Sequence, residues 1–563
     1  MKKRIYLYHI IYIIFLSASF SQNIHLKLKG QDSLSETFIQ NINFTKQFQN
    51  LKTLQNELEK TKKTLTTQGY FNSYISSIKK TNDSTYTSEI KLNKRFKHIN
   101  IHYNTEDISE QDLRSALNLN TKITNNTFQS STENLEKNLN NIIKHLSNKG
   151  QVFSNCRLTS IRIKNNELSA NLKLITSKTN YISDIKIKGY EKFPQKFIKH
   201  YLRLKKGQEL NLKEIEDKST NINHLRFSNE IKKPEILFTK DSSVTFIYIN
   251  KRKANSFEGF LGFSSDPETN KLNINGNIDL KLINNLNSGE ELYIKYQSTE
   301  NEQKKIHLKT VIPYVFNSPF SIEGQFDIFK KDSSFTNNTQ ALQLKYNINR
   351  NISIGSGIRF NTSNTLTENT SSNLDYKKTS YILNFNHQSL NTNTSLFSTK
   401  TKTQLELALT NRKTITNNTQ QQNIFLSSEY IFQINRKNSF YIKNESNYLI
   451  SNNTLDNEQI YIGGINSIRG YQENSIPSTK YSVLNTEYRI ELNNTLYTHS
   501  VIDYALTQNN STKKADNLFG FGLGFGLKTN NSIFRFIIAN RKNKNETIKF
   551  SESKIHLSLS TLF

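Results

Sequence analysis

The sequence predicts two folds in tandem: repeated α+β units of β-α-α-β-β order, followed by an all-β, sixteen-stranded antiparallel transmembrane barrel. Three observations predict them. Up to residue 252, strand and helix patterns interleave three times. From residue 254 onward, helical spacing gives way to period-two alternation of apolar and polar residues. The 563-residue chain has a mean hydropathy of −0.64. After its first residues it holds no run approaching the ~18 apolar residues of a membrane helix, so only short, half-apolar strands could cross a bilayer.

The chain opens with a basic cluster, Lys2, Lys3 and Arg4, then an apolar stretch from Ile5 to Leu16, then Ser19-Phe20-Ser21. A basic start, a short apolar core and a small-x-small site predict a secretory signal peptide over 1–21. Cys156 is the one cysteine, so no internal disulfide can form, and it reads as a passive thiol beside Val152 and Phe153. The net charge is +28. The lysines are scattered rather than packed in one run, so the excess is assigned to anionic lipid head groups or acidic clients rather than to nucleic acid.

The first α+β unit spans 22–95, with strands expected at 24–30, 70–79 and 84–93 and a helix at 50–69. The second spans 96–177, with strands at 98–104, 151–163 and 167–176 around helices at 109–118 and 131–150. The third spans 178–252, with strands at 181–190, 232–240 and 243–252 around helical stretches at 194–207 and 210–227. In each unit a helix stops at or near a glycine, Gly69, Gly150 or Gly207. Such units bury one sheet face under helices and leave edge strands able to accept a strand from another chain.

Residues 254–563 divide into sixteen candidate strands, an even number as barrel closure requires. Even-numbered links are short (INRN, NRK, LNNT, KTNNS). Odd-numbered links include the long ones, expected at 363–375, 411–421, 450–480 and 542–553. Short turns at one end and long loops at the other is the outer-membrane pattern. In the strand DNLFGFGLGFGLKT, Phe519, Phe521, Leu523, Phe525 and Leu527 fall on one face and Gly520, Gly522, Gly524 and Gly526 on the other. Lipid would meet the bulky face, and the glycines would form a lumen wall with room for something large.

The longest link, 450–480, contains YIGGINSIRGYQEN. Folded into the lumen, its Arg469 would need a carboxylate, and a guanidinium fork fixes orientation as well as charge. Alternation turns Glu487 and Asp503 inward, so Arg469 is expected to latch the loop to the wall with Asp503 as first partner and Glu487 as second.

The segment Gly463-Gly464-Ile465-Asn466-Ser467-Ile468-Arg469-Gly470-Tyr471 resembles the GG-x-x-S-[VI]-R-G-[FY] loop motif of the BamA/TamA superfamily of outer-membrane assembly and translocation proteins. The resemblance covers essentially the whole mature chain. It implies periplasmic POTRA domains before a sixteen-stranded barrel, with the motif in the sixth extracellular loop. It also implies roles for Arg469, for the flanking Gly463, Gly464 and Gly470, for Asp503 on the thirteenth strand, and for Phe563 as the terminal aromatic of a sorting strand. Three repeats without a plug helix are similar to the layout of TamA.

The expected function is therefore non-enzymatic insertion or translocation in the bacterial outer membrane. The repeats would sit in the periplasm and bind client or partner strands. The barrel would template clients at a seam between its first strand, near Phe257–Phe263, and its last, 554–563. Two alternatives stay open: a pore for one dedicated exported polypeptide, and a lipid-transport or tethering factor working with a periplasmic bridge protein or lipoprotein accessory. No metal or cofactor is implied, and no HExxH, GxSxG, Walker-type or paired-cysteine pattern occurs.

Overall fold

The computed structural model describes residues 23–117, 123–124, 126–239, 243–265, 272–298, 303–366, 373–391, 394, 396–510, 512, 514–529, 532–542, 551 and 553–563. The expected signal peptide lies outside them. The chain forms two compact units, one of residues up to 182 together with 207–214, the other of 183–206 together with 215–563.

In the first unit, strand Ile24–Gly30 pairs in parallel with Thr85–Lys91. Helices Ser33–Asn41 and Leu51–Thr67 lie between them in sequence, each started by a side-chain cap. Asp32 accepts from the Ser35 amide at 2.7 Å and Asn50 from the Thr53 amide at 2.9 Å. Leu26, Leu28, Leu54, Leu65 and Ile90 form the shared core. The second repeat follows the same plan. His98–His102 pairs in parallel with Glu167–Ile175, and helices Glu110–Ala116 and Leu135–Asn148 contribute Leu113, Ile142 and Leu146 to a core with Ile99, Ile101 and Phe128. A hairpin of Ile123–Thr124 and Thr127–Ser131, absent from the sequence expectation, pairs with the outer edge of the first strand.

The third sheet runs Ile182–Gly189, Ser243–Lys251, Ser228–Phe238 in spatial order. The helix expected at 194–207 is cut to Lys196–His200. Leu202 and Tyr201 both return their amides to the Phe197 carbonyl, and Arg203 takes a left-handed φ of 55°, which ends the helix.

Among the described residues the rest of the chain is a closed barrel of sixteen antiparallel strands. They are β1 (Ser256–Ser265), β2 (Leu272–Ile283), β3 (Glu291–Ser298), β4 (Lys304–Ile312), β5 (Phe320–Lys331), β6 (Phe335–Asn347), β7 (Ile352–Thr365) and β8 (Tyr376–Leu390), then β9 (Thr399–Thr414), β10 (Asn418–Gln433), β11 (Asn438–Ile450), β12 (Lys480–Glu491), β13 (Leu496–Asn509), β14 (Lys514–Lys528), β15 (Ser532–Lys542) and β16 (Lys554–Leu562). Exposed apolar residues alternate along the outer wall, as in Leu342 and Leu344, Leu407 and Leu409, Tyr504 and Leu506, Leu523 and Phe525. In water this surface would be an aggregation hazard; against acyl chains it is the required face. One link departs from expectation. Residues 411–421 do not form a long loop: β9 continues to Thr414 and β10 begins at Asn418, joined by a turn in which the Thr414 amide donates to the Asn417 carbonyl at 2.9 Å.

Candidate functional site

The link from β11 to β12 folds into the bore. Two short strands, Ile460–Ile462 and Ile476–Ser478, pair as a stem. Beyond it the chain turns through Gly464, whose left-handed φ of 96° lets its amide reach the Ile468 carbonyl at 3.2 Å. Ile462, Ile468 and Tyr471 then pack on the inner wall against Tyr481, Val483, Ala505 and Leu518. This apolar cluster lies inside the barrel, so burial of hydrocarbon drives the loop inward.

At the tip, Arg469 meets both expected carboxylates. Its Nε and Nη2 donate to Asp503 of β13 at 2.8 and 2.6 Å, and its main-chain amide donates to the same carboxylate at 2.9 Å. Nη1 pairs with Glu487 of β12. Glu487 is shared with Arg489, whose Nε lies at 2.7 Å and whose guanidinium is stacked between the rings of Phe397 and Tyr441. Two guanidiniums thus face two carboxylates. The Asp503 side chain is 0% exposed and that of Arg469 only 5%, a depth at which either charge alone would carry a large desolvation cost. The Ser467 carbonyl accepts from Asn485 at 2.7 Å, while its buried hydroxyl has no partner among the described residues.

The glycine wall behaves differently from expectation. Alternation places all four glycines of β14 off the lipid face, but only Gly520 makes room for the loop. A Cβ there would overlap the Arg469 carbonyl. At Gly524 and Gly526 a Cβ would instead strike the side chains of His499 and Tyr497 on the neighbouring β13, and at Gly522 the Ile538 backbone of β15. The smooth wall therefore serves two inward-leaning rings as much as the loop. On the other side of the loop, Gly470 at φ 90° lies flush on the Asn540 backbone of β15. The Tyr471 hydroxyl donates to the Lys542 carbonyl at 3.4 Å.

Two further arrangements frame this site. The barrel closes weakly. β1 and β16 share three register pairs, Ser256 with Leu562 through Glu258 with Ser560, supplemented by the Phe563 amide on the Asn255 carbonyl at 3.0 Å. Every other neighbouring pair of barrel strands has eight or more. Phe563 itself is exposed.

The other arrangement was not foreseen from the sequence. The third repeat docks on the even-numbered turns. Phe197 meets Tyr314 edge-on with ring centroids 5.0 Å apart, and Lys196 donates to the Pro313 carbonyl at 2.6 Å. Asn284 donates to the Tyr190 hydroxyl at 2.9 Å. Tyr314 holds a left-handed φ of 53°, a strained conformation for an aromatic residue. Neither that turn geometry nor the pairing across 117 positions leaves a local pattern in sequence.

Residues 180–250 match the POTRA family, described as a surface antigen variable number repeat. No curated protein matches the chain in sequence. Among solved structures, BamA from Haemophilus ducreyi lacking POTRA domains 1–3 is 13% identical, covering 82% of this chain and 99% of its own, with a TM-score of 0.50. CdiB from Acinetobacter baumannii is 14% identical, covering 91% and 98%, with a TM-score of 0.52. CdiB from Escherichia coli is 12% identical over 91% and 97%, also with a TM-score of 0.52. The matched repeat is the one whose Lys196 and Phe197 meet Pro313 and Tyr314 on an even-numbered turn of the barrel. The chain thus joins a repeat matching the POTRA family, at residues 180–250, to a closed sixteen-stranded antiparallel barrel, a fold similar to those of BamA and CdiB.

Proposed function

We propose that this protein inserts client β-strands into the outer membrane through the junction of β1 and β16, with residues 22–95, 96–177 and 178–252 acting as three POTRA domains that deliver unfolded strands by edge pairing. The observation that carries this reading is the three-pair seam. In lipid an unpaired strand edge is costly, so a barrel sealed over eight or more pairs at every other interface gains nothing in stability from so short a closure. A seam of that kind lends its free edges to an incoming strand. Arg469, with Asp503 and Glu487, is the latch that keeps the loop inside while the seam opens. Gly463, Gly464, Gly470 and Tyr471 shape it, Gly520 seats it, and Phe563 marks the last strand for sorting. A lipoprotein accessory or a periplasmic bridge protein is the natural partner of the first repeat.

A second reading, a pore for a dedicated exported polypeptide, is favoured by a polar cavity of about 600 Å³ beneath the loop tip, lined by Arg469, Lys402, Glu445 and Arg489 among others. One experiment separates the two. Phe257 and Thr561 are register partners across the seam. Cysteines at both positions, in a Cys156→Ser background, can be locked by oxidation and released by reductant. Insertion through the seam requires that oxidation abolish assembly of other outer-membrane barrels in cells and that reductant restore it. Unchanged assembly with the seam fully cross-linked would rule the insertase reading out, and continued secretion of one polypeptide under the lock would favour the pore.

A further inference from the structure

The loop bearing Arg469 is fixed at a second place. Its proximal limb makes one 3-10 turn, Asp456–Glu458, and Glu458 turns back to accept from the Leu455 amide at 2.8 Å. The same carboxylate is taken up by the barrel wall. Lys378 of β8 lies 2.9 Å from Oε1, and Arg412 of β9 lies 2.6 Å from Oε2. Gln421 of β10 donates to Oε1 at 3.1 Å. The Glu458 side chain is 0% exposed and that of Arg412 3%. Beside it, buried Asn457 donates to Ser363 of β7 at 2.8 Å, and its carbonyl accepts from Asn337 of β6 at 2.8 Å.

All these wall residues lie at the ends of their strands that meet the odd-numbered links. That is the end opposite the turns on which the third repeat docks, and hence the outer mouth. The two anchors also differ in polarity. At the tip the loop supplies the cation and the wall the carboxylates. At the proximal limb the loop supplies the carboxylate and the wall the cations. They grip different arcs as well: β6 to β10 at Glu458 and Asn457, β12, β13 and β15 at the tip. A chain tied to both sides of a bore is a strut, and Ile465, Asn466 and Arg469 of this one roof the cavity below.

We propose that Glu458 is a positioning residue that ties the loop across the outer mouth and keeps the lumen closed to solutes, through an anchor separate from that of Arg469. Neutralising it leaves Lys378 and Arg412 buried, close together and without their counter-ion, which favours release of the limb. The inference does not depend on whether clients leave through the seam or the lumen.

The test is the conductance of the full-length protein in planar bilayers, with barrel folding scored by heat-modifiable gel mobility. Glu458→Gln keeps the shape and removes the charge. It should raise the open fraction about tenfold, the effect of about 1.4 kcal/mol lost from the closed state. The exchange Glu458→Arg with Arg412→Glu restores an ion pair at the same place and should return conductance toward that of the parent. A folded Glu458→Gln barrel that conducts like the parent overturns the proposal, as does a folded exchange variant as leaky as the single one. If neither variant folds while Arg469→Ala does, the anchor is needed for folding rather than closure, and the proposal also fails.

Discussion

Arg469 and Asp503, 34 positions apart in sequence, form a two-pronged ion pair in which Asp503 also accepts the Arg469 main-chain amide. One carboxylate therefore fixes both the side chain and the backbone of the loop tip. Asp503→Asn keeps the size but leaves a buried guanidinium with Glu487 alone, itself shared with Arg489. The expected cost is about 3–5 kcal/mol, the range for breaking a buried pair from one side. It would appear as a lower urea midpoint and as protease cleavage within 463–471. Arg469→Lys should behave nearly as badly, because an ammonium cannot span the two Asp503 oxygens and Glu487 in one plane.

Gly520 is the register partner of Asp503 on β14, and its missing side chain is where the Arg469 carbonyl lies. Gly520→Ala should push the tip off the wall and destabilise the barrel by about 1–3 kcal/mol, as overpacking does. Gly324 gives the control, since a Cβ there meets only a Thr310 methyl at 3.4 Å. Gly324→Ala should leave the temperature of the heat-modifiable shift unchanged while Gly520→Ala lowers it.

Those two residues were legible in advance because alternation is a local signal. Once β12 and β13 are recognised, the inward side of Glu487 and Asp503 follows from counting by twos. The same counting failed at 411–421. NRKTITNNTQQ is polar on both faces, so it reads as loop, and Arg412 and Gln421 vanish from the list of inward residues. Their polarity reflects the partner they meet, Glu458, on a loop some 40 residues away, and no periodic pattern encodes that. The hairpin at Ile123–Thr124 and Thr127–Ser131 was missed for a related reason. It is too short for a period to register, and its turn rests on the left-handed Asn126 at φ 63°. Excess helix was assigned to 194–207 because apolar spacing continues through Leu202 and Leu204, although the backbone breaks at Arg203.

Phe197 is the hub through which the third repeat meets the barrel. Its ring lies 5.4 Å from Phe227 inside the repeat and 5.0 Å from Tyr314 on the barrel turn. Phe197→Ala should cost about 3–5 kcal/mol by opening a cavity at the centre of this cluster. A double-mutant cycle with Tyr314→Ala separates packing from docking. The coupling should be about 0.5–1.5 kcal/mol, the worth of one aromatic pair, measured from urea midpoints. A coupling near zero would mean that Lys196 on the Pro313 carbonyl and Asn284 on Tyr190 hold the interface without the rings.

In the second repeat, Asp112 joins its two helices. It accepts from Ser109 at 2.8 Å within its own helix, and from His145 at 2.9 Å and Lys149 at the far end of the other. Burial alone would push its carboxyl up. Hydrogen bonds from Lys149, His145 and Ser109 outweigh that and hold it at about 2, below its ordinary 3.8. A carboxyl held low in the folded state adds stability above its ordinary value and loses it as pH falls through the folded one. The contribution should therefore be whole at neutral pH, decline from about pH 4 and be gone near pH 2. Asp112→Asn removes about 2 kcal/mol at neutral pH, read as faster amide hydrogen exchange across Leu135–Asn148. The gap between parent and variant should close as the pH approaches 2. A gap that persists unchanged to that pH would assign the stabilisation to the shape of the hydrogen-bond network rather than to the charge on Asp112.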